Sequence, residues 1–309
     1  MLVKPTHCVR MVTYNHEKYI RSALESVFDN DVLPDKVVLF DDCSTDKTWD
    51  IVCEFKKKYG DILECHRNEK NLGLFQNVNQ MYKAGVETGC DIITSLAGDD
   101  YLKKGLFEEL NRVVEENGID VKNDKFVIIT NTEQLHSDGI VNRINNYSIR
   151  DESDLFYCQL SGQLDYREVG LSRNLLKTIP PLRADLGVWS DLLVCLDYIN
   201  NCDKFYFTPF VSAGYRVGVG TVSKQNMDAV SQSRYNVEKE VLRTYKLSKK
   251  SRKYLNRHMS EYEFKNEFNK YKSGERKNFP FALYIKTYGV FAMFTKTIKF
   301  CAKKLLRIK

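Results

Sequence analysis

The first hundred residues alternate between short apolar runs and longer segments whose apolar positions recur at helical spacing. CVRMVTY (8–14) is a run that ends at Asn15. In KYIRSALESVFDN (18–30), Ile20, Leu24, Val27 and Phe28 fall on one helical face. KVVLFDD (36–42) has the pattern of a buried strand and stops on two acids. A helix is predicted over 45–60, with Ser44 or Thr45 as its N-cap and Gly60 as its C-cap. ILECHRN (62–68) reads as a third strand and 71–89 as a Gly-containing turn and helix. CDIITSLAGDD (90–100) is a fourth strand, and it too ends on two acids.

This alternation predicts βαβ units and a mostly parallel sheet. Ligands of such sheets bind outside the carboxyl ends of the strands. Three predicted strand ends are polar or acidic: Thr13-Tyr14-Asn15, Asp41-Asp42 and Asp99-Asp100. Their convergence on one sheet edge is the first functional expectation.

Beyond Asp100 the pattern predicts a helix over 103–118, a strand over 125–136 and a turn at Asp138-Gly139. Residues 151–220 are less regular, with a helix-like segment at 188–199 and a Gly-punctuated stretch at 212–223. From about residue 230 the chain reads as charged helix, so a domain boundary is expected near 225–232.

Composition narrows the class. Hydrophobic residues make up 43% and charged residues 28%, which suits a packed globular core. There is no run of about 18 apolar residues, and the start lacks the pattern of a signal peptide. Both features lead to the expectation of a cytoplasmic protein. The nine cysteines are odd in number and include no CxxC, and the five histidines show no ligand spacing. A disulfide framework or a zinc site is therefore not expected.

The net charge of +6 is concentrated at the end of the chain. Residues 275–309 hold nine Lys/Arg and one Glu, which gives +8 there and −2 over residues 1–274. A nearly neutral body argues against nucleic-acid binding. On a helix, Phe294, Ile298, Cys301, Leu305 and Ile308 share one face, and Lys296, Lys299, Lys303 and Arg307 another. Residues 278–309 thus fit a basic amphipathic helix on an anionic membrane surface. Packing on the domain itself or on a second copy in a homo-oligomer fits the same pattern.

The blocks VRMVTYNHEKYIRSALESV, FDDCSTDKTWDIV, NLGLFQNVN and LAGDDYL resemble family 2 glycosyltransferases, the inverting group with the GT-A fold. The resemblance covers about residues 8–225. It implies an α/β, Rossmann-like nucleotide-sugar-binding domain with a mixed sheet, over residues 1–228, and a basic C-terminal helical extension over 229–309. The domain would divide into a nucleotide-binding half (1–102) and an acceptor-binding half (103–228). The implied reaction moves a sugar from a UDP-sugar to a hydroxyl of a glycan or lipid-linked acceptor. That belongs to the building of a surface polysaccharide of the O-antigen or capsule kind, on the inner face of the cell membrane.

The resemblance also implies roles for single residues. Asp42 would accept the imide N–H of uracil, with Thr13, Tyr14 and Asn15 bordering the base. Asn71, Gly73 and Asn77 would line the same pocket. No P-loop motif is present, so a divalent cation, Mn²⁺ or Mg²⁺, would meet the diphosphate. Asp99 keeps the last acid of the family's metal motif, whose first acid is Ala97 here, and Asp100 is a second candidate ligand. Asp191 would be the general base, with Ser190 where the family often has Glu and Asp185 as the nearest rival. Arg216 would pair with phosphate, and Gly218 and Gly220 would suit a loop that closes over the donor. A nucleotidyltransferase is the alternative enzyme class, although TYNHEKY holds no Gly-rich basic loop. A non-catalytic nucleotide-sugar-binding protein is the other alternative.

Overall fold

The computed structural model describes residues 4–139, 141–144, 149, 151–164, 168–220, 226–278, 280 and 282–288. The chain forms two compact units, Met1–Asn226 and Met227–Lys309.

In the first unit the chain begins with β1 (His7–Thr13), α1 (Ile20–Phe28), β2 (Lys36–Asp41), α2 (Thr48–Tyr59) and β3 (Leu63–Arg67). It continues through α3 (Leu74–Glu87), β4 (Ile92–Ala97), β5 (Tyr101–Leu102), α4 (Leu106–Glu116), β6 (Phe126–Leu135) and β7 (Val141–Ile144). Then come α5 (Glu152–Ser161), β8 (Leu171–Ser172), α6 (Arg173–Leu176), α7 (Ser190–Asn201) and β9 (Lys204–Arg216). The strands form one mixed sheet in the order β3-β2-β1-β4-β8-β6-β9-β5, with β7 on β6. β2 and β4 run parallel to β1 on either side. The short β8 is antiparallel to both β4 and β6 and joins the two halves.

Alternation along β1 divides the core into two layers. Val9 and Met11 face Ile20, Leu24, Val52, Phe107 and Leu110, on the side covered by α1, α2 and α4. Cys8 faces the other side, with Val78, Met81, Leu155, Val194 and Tyr198 from α3, α5 and α7. Both sheet faces are covered, so β2 is apolar and buried from Val37 to Phe40 rather than alternating.

Two expectations are corrected. α2 starts at Thr48, and neither Ser44 nor Thr45 caps it. The Ser44 hydroxyl is committed elsewhere, donating to Asp41 and accepting the Asn15 N–H at 2.9 Å. The Asp46 carboxylate accepts the Thr48 N–H instead, at 2.9 Å. The Gly-punctuated stretch is also more ordered than its sequence suggests. β9 runs unbroken through Ser212–Arg216 and pairs in parallel with β6, from Phe126↔Lys204 to Leu135↔Arg216. Gly214 is required there, because a Cβ would stand 2.0 Å from the Tyr101 ring carbon Cζ. It marks a close approach rather than a loop.

The second unit contains α8 (Met227–Thr244) and α9 (Lys249–Ser273), with Ser248 capping α9 through its hydroxyl. Tyr235 of α8 stacks on Tyr262 of α9, and its hydroxyl donates to Glu263 at 2.8 Å. The amphipathic-face residues named above, Phe294 to Ile308, lie outside the described residues. Among the described residues no helix is long and apolar enough to cross a membrane.

Candidate active site

The three polar strand ends meet at one edge of the sheet. Thr13 lies opposite Asp41 across β1 and β2, and Val12 lies opposite Ala97 across β1 and β4. Hydrogen bonds carry each pairing one residue further, from the Asp42 N–H to the Thr13 carbonyl (3.0 Å) and from the Gly98 N–H to the Val12 carbonyl (2.8 Å).

Asp41 and Asp42 do different work. Asp41 is fully buried and closes the turn after β2. It accepts the Ser44 N–H at 2.9 Å and the Ser44 hydroxyl, with Arg67 Nε 3.5 Å away. Burial pushes its carboxyl above the usual range against these partners. Asp42 holds the loop before α3. It accepts from Asn68 Nδ2 (2.9 Å), the Leu72 N–H (2.7 Å) and the Gly73 N–H (2.9 Å). A carboxylate offers about four acceptor positions, so about one remains for a ligand.

The neighbouring residues frame this edge. Tyr14 is 42% exposed, and Asn15 has a left-handed backbone (φ 53°) that lets its side chain accept the Thr45 N–H at 2.8 Å. Asn71 accepts the Gly73 N–H at 3.0 Å, and Gly73 has φ 81°. Asn77 departs from expectation. Its side chain is buried, accepting from Asn68 and donating to the Phe40 carbonyl, so it braces the loop rather than lining a pocket.

The acidic pair after β4 is asymmetric. The Asp99 side chain is 7% exposed. Among the described residues no N–H or O–H hydrogen-bonds its carboxylate, and the nearest basic nitrogen is His16 Nε2 at 3.9 Å. A carboxylate so deeply placed is costly without a compensating cation. Asp100 is engaged, accepting the Arg216 N–H at 3.0 Å. Among the described residues no three His, Cys, Asp or Glu side chains cluster as a preformed metal cage. Mg²⁺ and Mn²⁺ with a nucleotide need no such cage, because one or two carboxylates plus phosphate oxygens suffice. The donor set therefore fits such a cation at Asp99.

Arg216 reaches this site from the end of β9. Its guanidinium donates to the Asp99 carbonyl (2.6 Å) and to Ser22 Oγ (2.9 Å). It lies over the Tyr101 ring at 5.0 Å and near the Tyr19 ring at 5.5 Å. These contacts hold the strand-end turn, a role that the sequence pattern did not suggest for it.

Asp191 stands in the first turn of α7, is exposed, and is not the N-cap, which is Trp189. α7 leads into β9, which is parallel to β6. β6 is in turn antiparallel to β8, which is antiparallel to β4. The start of α7 is therefore at the carboxyl edge of the sheet. Seven residues separate Asp191 from the buried Tyr198, so the two share one angular face of the helix, with Asp191 exposed at its start. Asp185 is occupied by Arg183, at 3.2 and 2.6 Å, which holds its carboxyl below the usual range.

His16 is the site residue that sequence reasoning passed over. Its Nδ1 is 3.3 Å from Thr13 Oγ1, and its backbone N–H donates to Thr48 Oγ1 at 2.8 Å. Gly98 makes room for it, because a Cβ there would stand 2.6 Å from Thr13 Oγ1 and 2.9 Å from His16 Nδ1. Histidine spacing gave no hint of this, since Thr48 and Asp99 reach it from distant parts of the chain.

The sequence profile described as "Glycosyl transferase family 2" matches residues 8–154. That stretch of the chain is similar to glycosyl transferase family 2. Among curated proteins it is 30% identical over 112 residues to the poly(ribitol-phosphate) beta-N-acetylglucosaminyltransferase TarS of Staphylococcus aureus. That match takes in 35% of this chain and 19% of TarS. It is 39% identical over 61 residues to a dolichyl-linked diacetamido-dideoxy-glucuronosyltransferase of Methanococcus voltae, over 19% of each chain. The full TarS crystal structure superimposes with a TM-score of 0.56 at 18% identity, over 84% of this chain and 43% of TarS. A truncated TarS in complex with UDP-GlcNAc gives 0.56 at 19% identity, over 83% of this chain and 71% of that one. The fold found here is thus shared with TarS, although the chain spans only a fraction of these curated relatives.

Proposed function

We propose that the chain is an inverting glycosyltransferase that moves a sugar from a UDP-sugar to a hydroxyl of a glycan or lipid-linked acceptor. The carrying observation is the Asp99 carboxylate, nearly buried at the carboxyl edge of the sheet with no hydrogen-bond donor among the described residues. A nucleotide diphosphate and its divalent cation would supply the missing positive charge.

The remaining acceptor position of Asp42 suits the imide N–H of uracil, with Thr13, Tyr14 and Asn15 beside the base. Asn71 and Gly73 form the loop that Asp42 holds. Asp99 would hold Mn²⁺ or Mg²⁺, with His16 beside it and Asp100 tied to β9. The bound cation would neutralise charge on the leaving diphosphate. Arg216 acts as a positioning residue, because it holds the Asp99 main chain. Asp191 takes the proton from the acceptor hydroxyl as that oxygen attacks the anomeric carbon. The names of the TarS and Methanococcus relatives support transfer of an N-acetylated sugar.

A thermal-shift and donor-hydrolysis panel tests this reading, using UDP-, GDP- and dTDP-sugars with and without Mn²⁺. UDP-sugars with Mn²⁺ should give the largest stabilisation and the only hydrolysis. Metal-independent stabilisation by all three donors alike would refute it.

A further inference from the structure

Arg10 is a charged residue buried within the sheet, away from the strand-end site. β1 sends its side chain to the face covered by α3 and α7, opposite the face that carries Met11. It is 1% exposed. Its Nε donates to Ser95 Oγ at 2.8 Å, and its Nη2 lies 3.3 Å from Glu168 Oε2 and 3.5 Å from the Tyr198 hydroxyl. Glu168 also accepts from Tyr82 (2.6 Å), Ser95 (2.7 Å) and Tyr198 (3.1 Å). The guanidinium carbon sits 4.0 Å from the centre of the Tyr82 ring. Gly85 makes the space, since a Cβ there would stand 2.9 Å from Arg10 Cδ. The network uses Nε and Nη2. No hydrogen bond to a described residue uses Nη1.

Arg10, Tyr82 and Tyr198 line a cavity of about 280 Å³ between α3 and residues 176–181. Its walls include Val86, Leu176, Ile179 and Pro180, and Lys83, Glu87 and Lys177 also border it. Lys83 pairs with Glu87 at 3.7 Å, and Glu168 offsets Arg10, so one positive charge is left over at the cavity. A guanidinium nitrogen with no hydrogen bond to a described residue, apolar walls and one net positive charge among the described lining residues together specify a ligand. It is a monoanion with an acceptor head and an apolar body.

We infer that this cavity is a second ligand site, which takes a small monocarboxylate with its head on Arg10 Nη1 and its chain against Val86, Leu176 and Ile179. The inference does not depend on the glycosyl-transfer reading. The test uses the full chain with ¹⁵N-labelled arginine, titrated with hexanoate, hexanol and inorganic phosphate.

Hexanoate should shift the Arg10 side-chain resonance saturably, with a Kd on the order of millimolar, as expected for a ligand of this size. Hexanol and phosphate should not. UDP with Mn²⁺ should leave the shift in place, as should Asp99→Asn. Ile179→Trp, which fills the cavity without touching the Arg10–Glu168 pair, should weaken hexanoate binding at least tenfold. Calorimetry on wild-type and Ile179→Trp chains gives the same answer without relying on an Arg10 variant that folds. Absence of saturation, equal binding of hexanol or phosphate, displacement by UDP, or full binding by Ile179→Trp would each overturn the inference.

Discussion

Arg216 and Asp99 meet through a main-chain carbonyl and not through an ion pair. Arg216 Nη1 donates to the Asp99 carbonyl at 2.6 Å, and the carboxylate of the same residue is left with His16 at 3.9 Å as its nearest basic group. The arginine thus fixes where the acid stands without neutralising it.

Asp99→Asn should therefore separate stability from activity. The amide removes a buried charge without changing shape, so the unliganded chain should gain stability on the order of 1 kcal/mol. Mn²⁺-dependent stabilisation should vanish and sugar transfer should fall at least about 100-fold. Thermal melts with and without Mn²⁺ and UDP read both effects. A less stable variant that keeps its metal response would contradict the site assignment.

Gly98→Ala tests the packing of the same turn. Its Cβ would meet Thr13 Oγ1 at 2.6 Å and His16 Nδ1 at 2.9 Å, so one side chain must give way. We expect a loss of about 1–3 kcal/mol in stability, of the size typical for overpacking. Donor affinity should fall with it. A double variant with Thr13→Ser retains the Oγ1 clash, whereas His16→Ala relieves one of the two contacts and should recover part of the stability.

Asp191→Asn should lower kcat by about 10²–10⁴-fold while leaving UDP-sugar binding unchanged, as expected for loss of a general base. Asp185→Asn is the control. Its carboxylate is already held by Arg183, so it should retain near wild-type turnover. Equal loss in both variants would move the base elsewhere.

Asp91 gives a pH test outside the site. Burial opposes its ionisation, but Lys122 Nζ at 2.7 Å and the Thr6 N–H and hydroxyl outweigh that, and its carboxyl lies below the usual range. The folded pKa is thus lower than the unfolded value of about 3.9. The stability from this group is present above the unfolded value and is lost as pH falls through the folded one. Lys122→Met should flatten the acid limb of urea-midpoint against pH. An unchanged limb would show that other carboxylates set it.

Much of this was legible in the sequence, for identifiable reasons. The β1-to-β4 alternation was readable because β1, β2 and β4 are largely apolar runs with polar ends, and parallel pairing then brings those ends together. The acids at 41–42 and 99–100 followed from the same pattern. β9 was not readable, because Pro209 and Gly214 interrupt it and its order depends on pairing with β6, about 80 residues earlier in the chain. The neighbours of Arg216 were not readable for the same reason, since Tyr101, Ser22 and Asp99 reach it only through the fold. The inward turn of Asn77 was likewise invisible, because a polar residue on a helix reads as solvated until a buried partner such as Asn68 appears.

The nearly buried Asp99 carboxylate also bears on how long the protein survives. Among the described residues no hydrogen-bond donor meets that carboxylate, and a bound cation and nucleotide would hold such a folded state shut against unfolding. Chains without donor would open more often, and cellular proteases act on the opened form. Under the proposed function, the supply of nucleotide sugar would then govern not only how fast the enzyme works but how many copies of it persist.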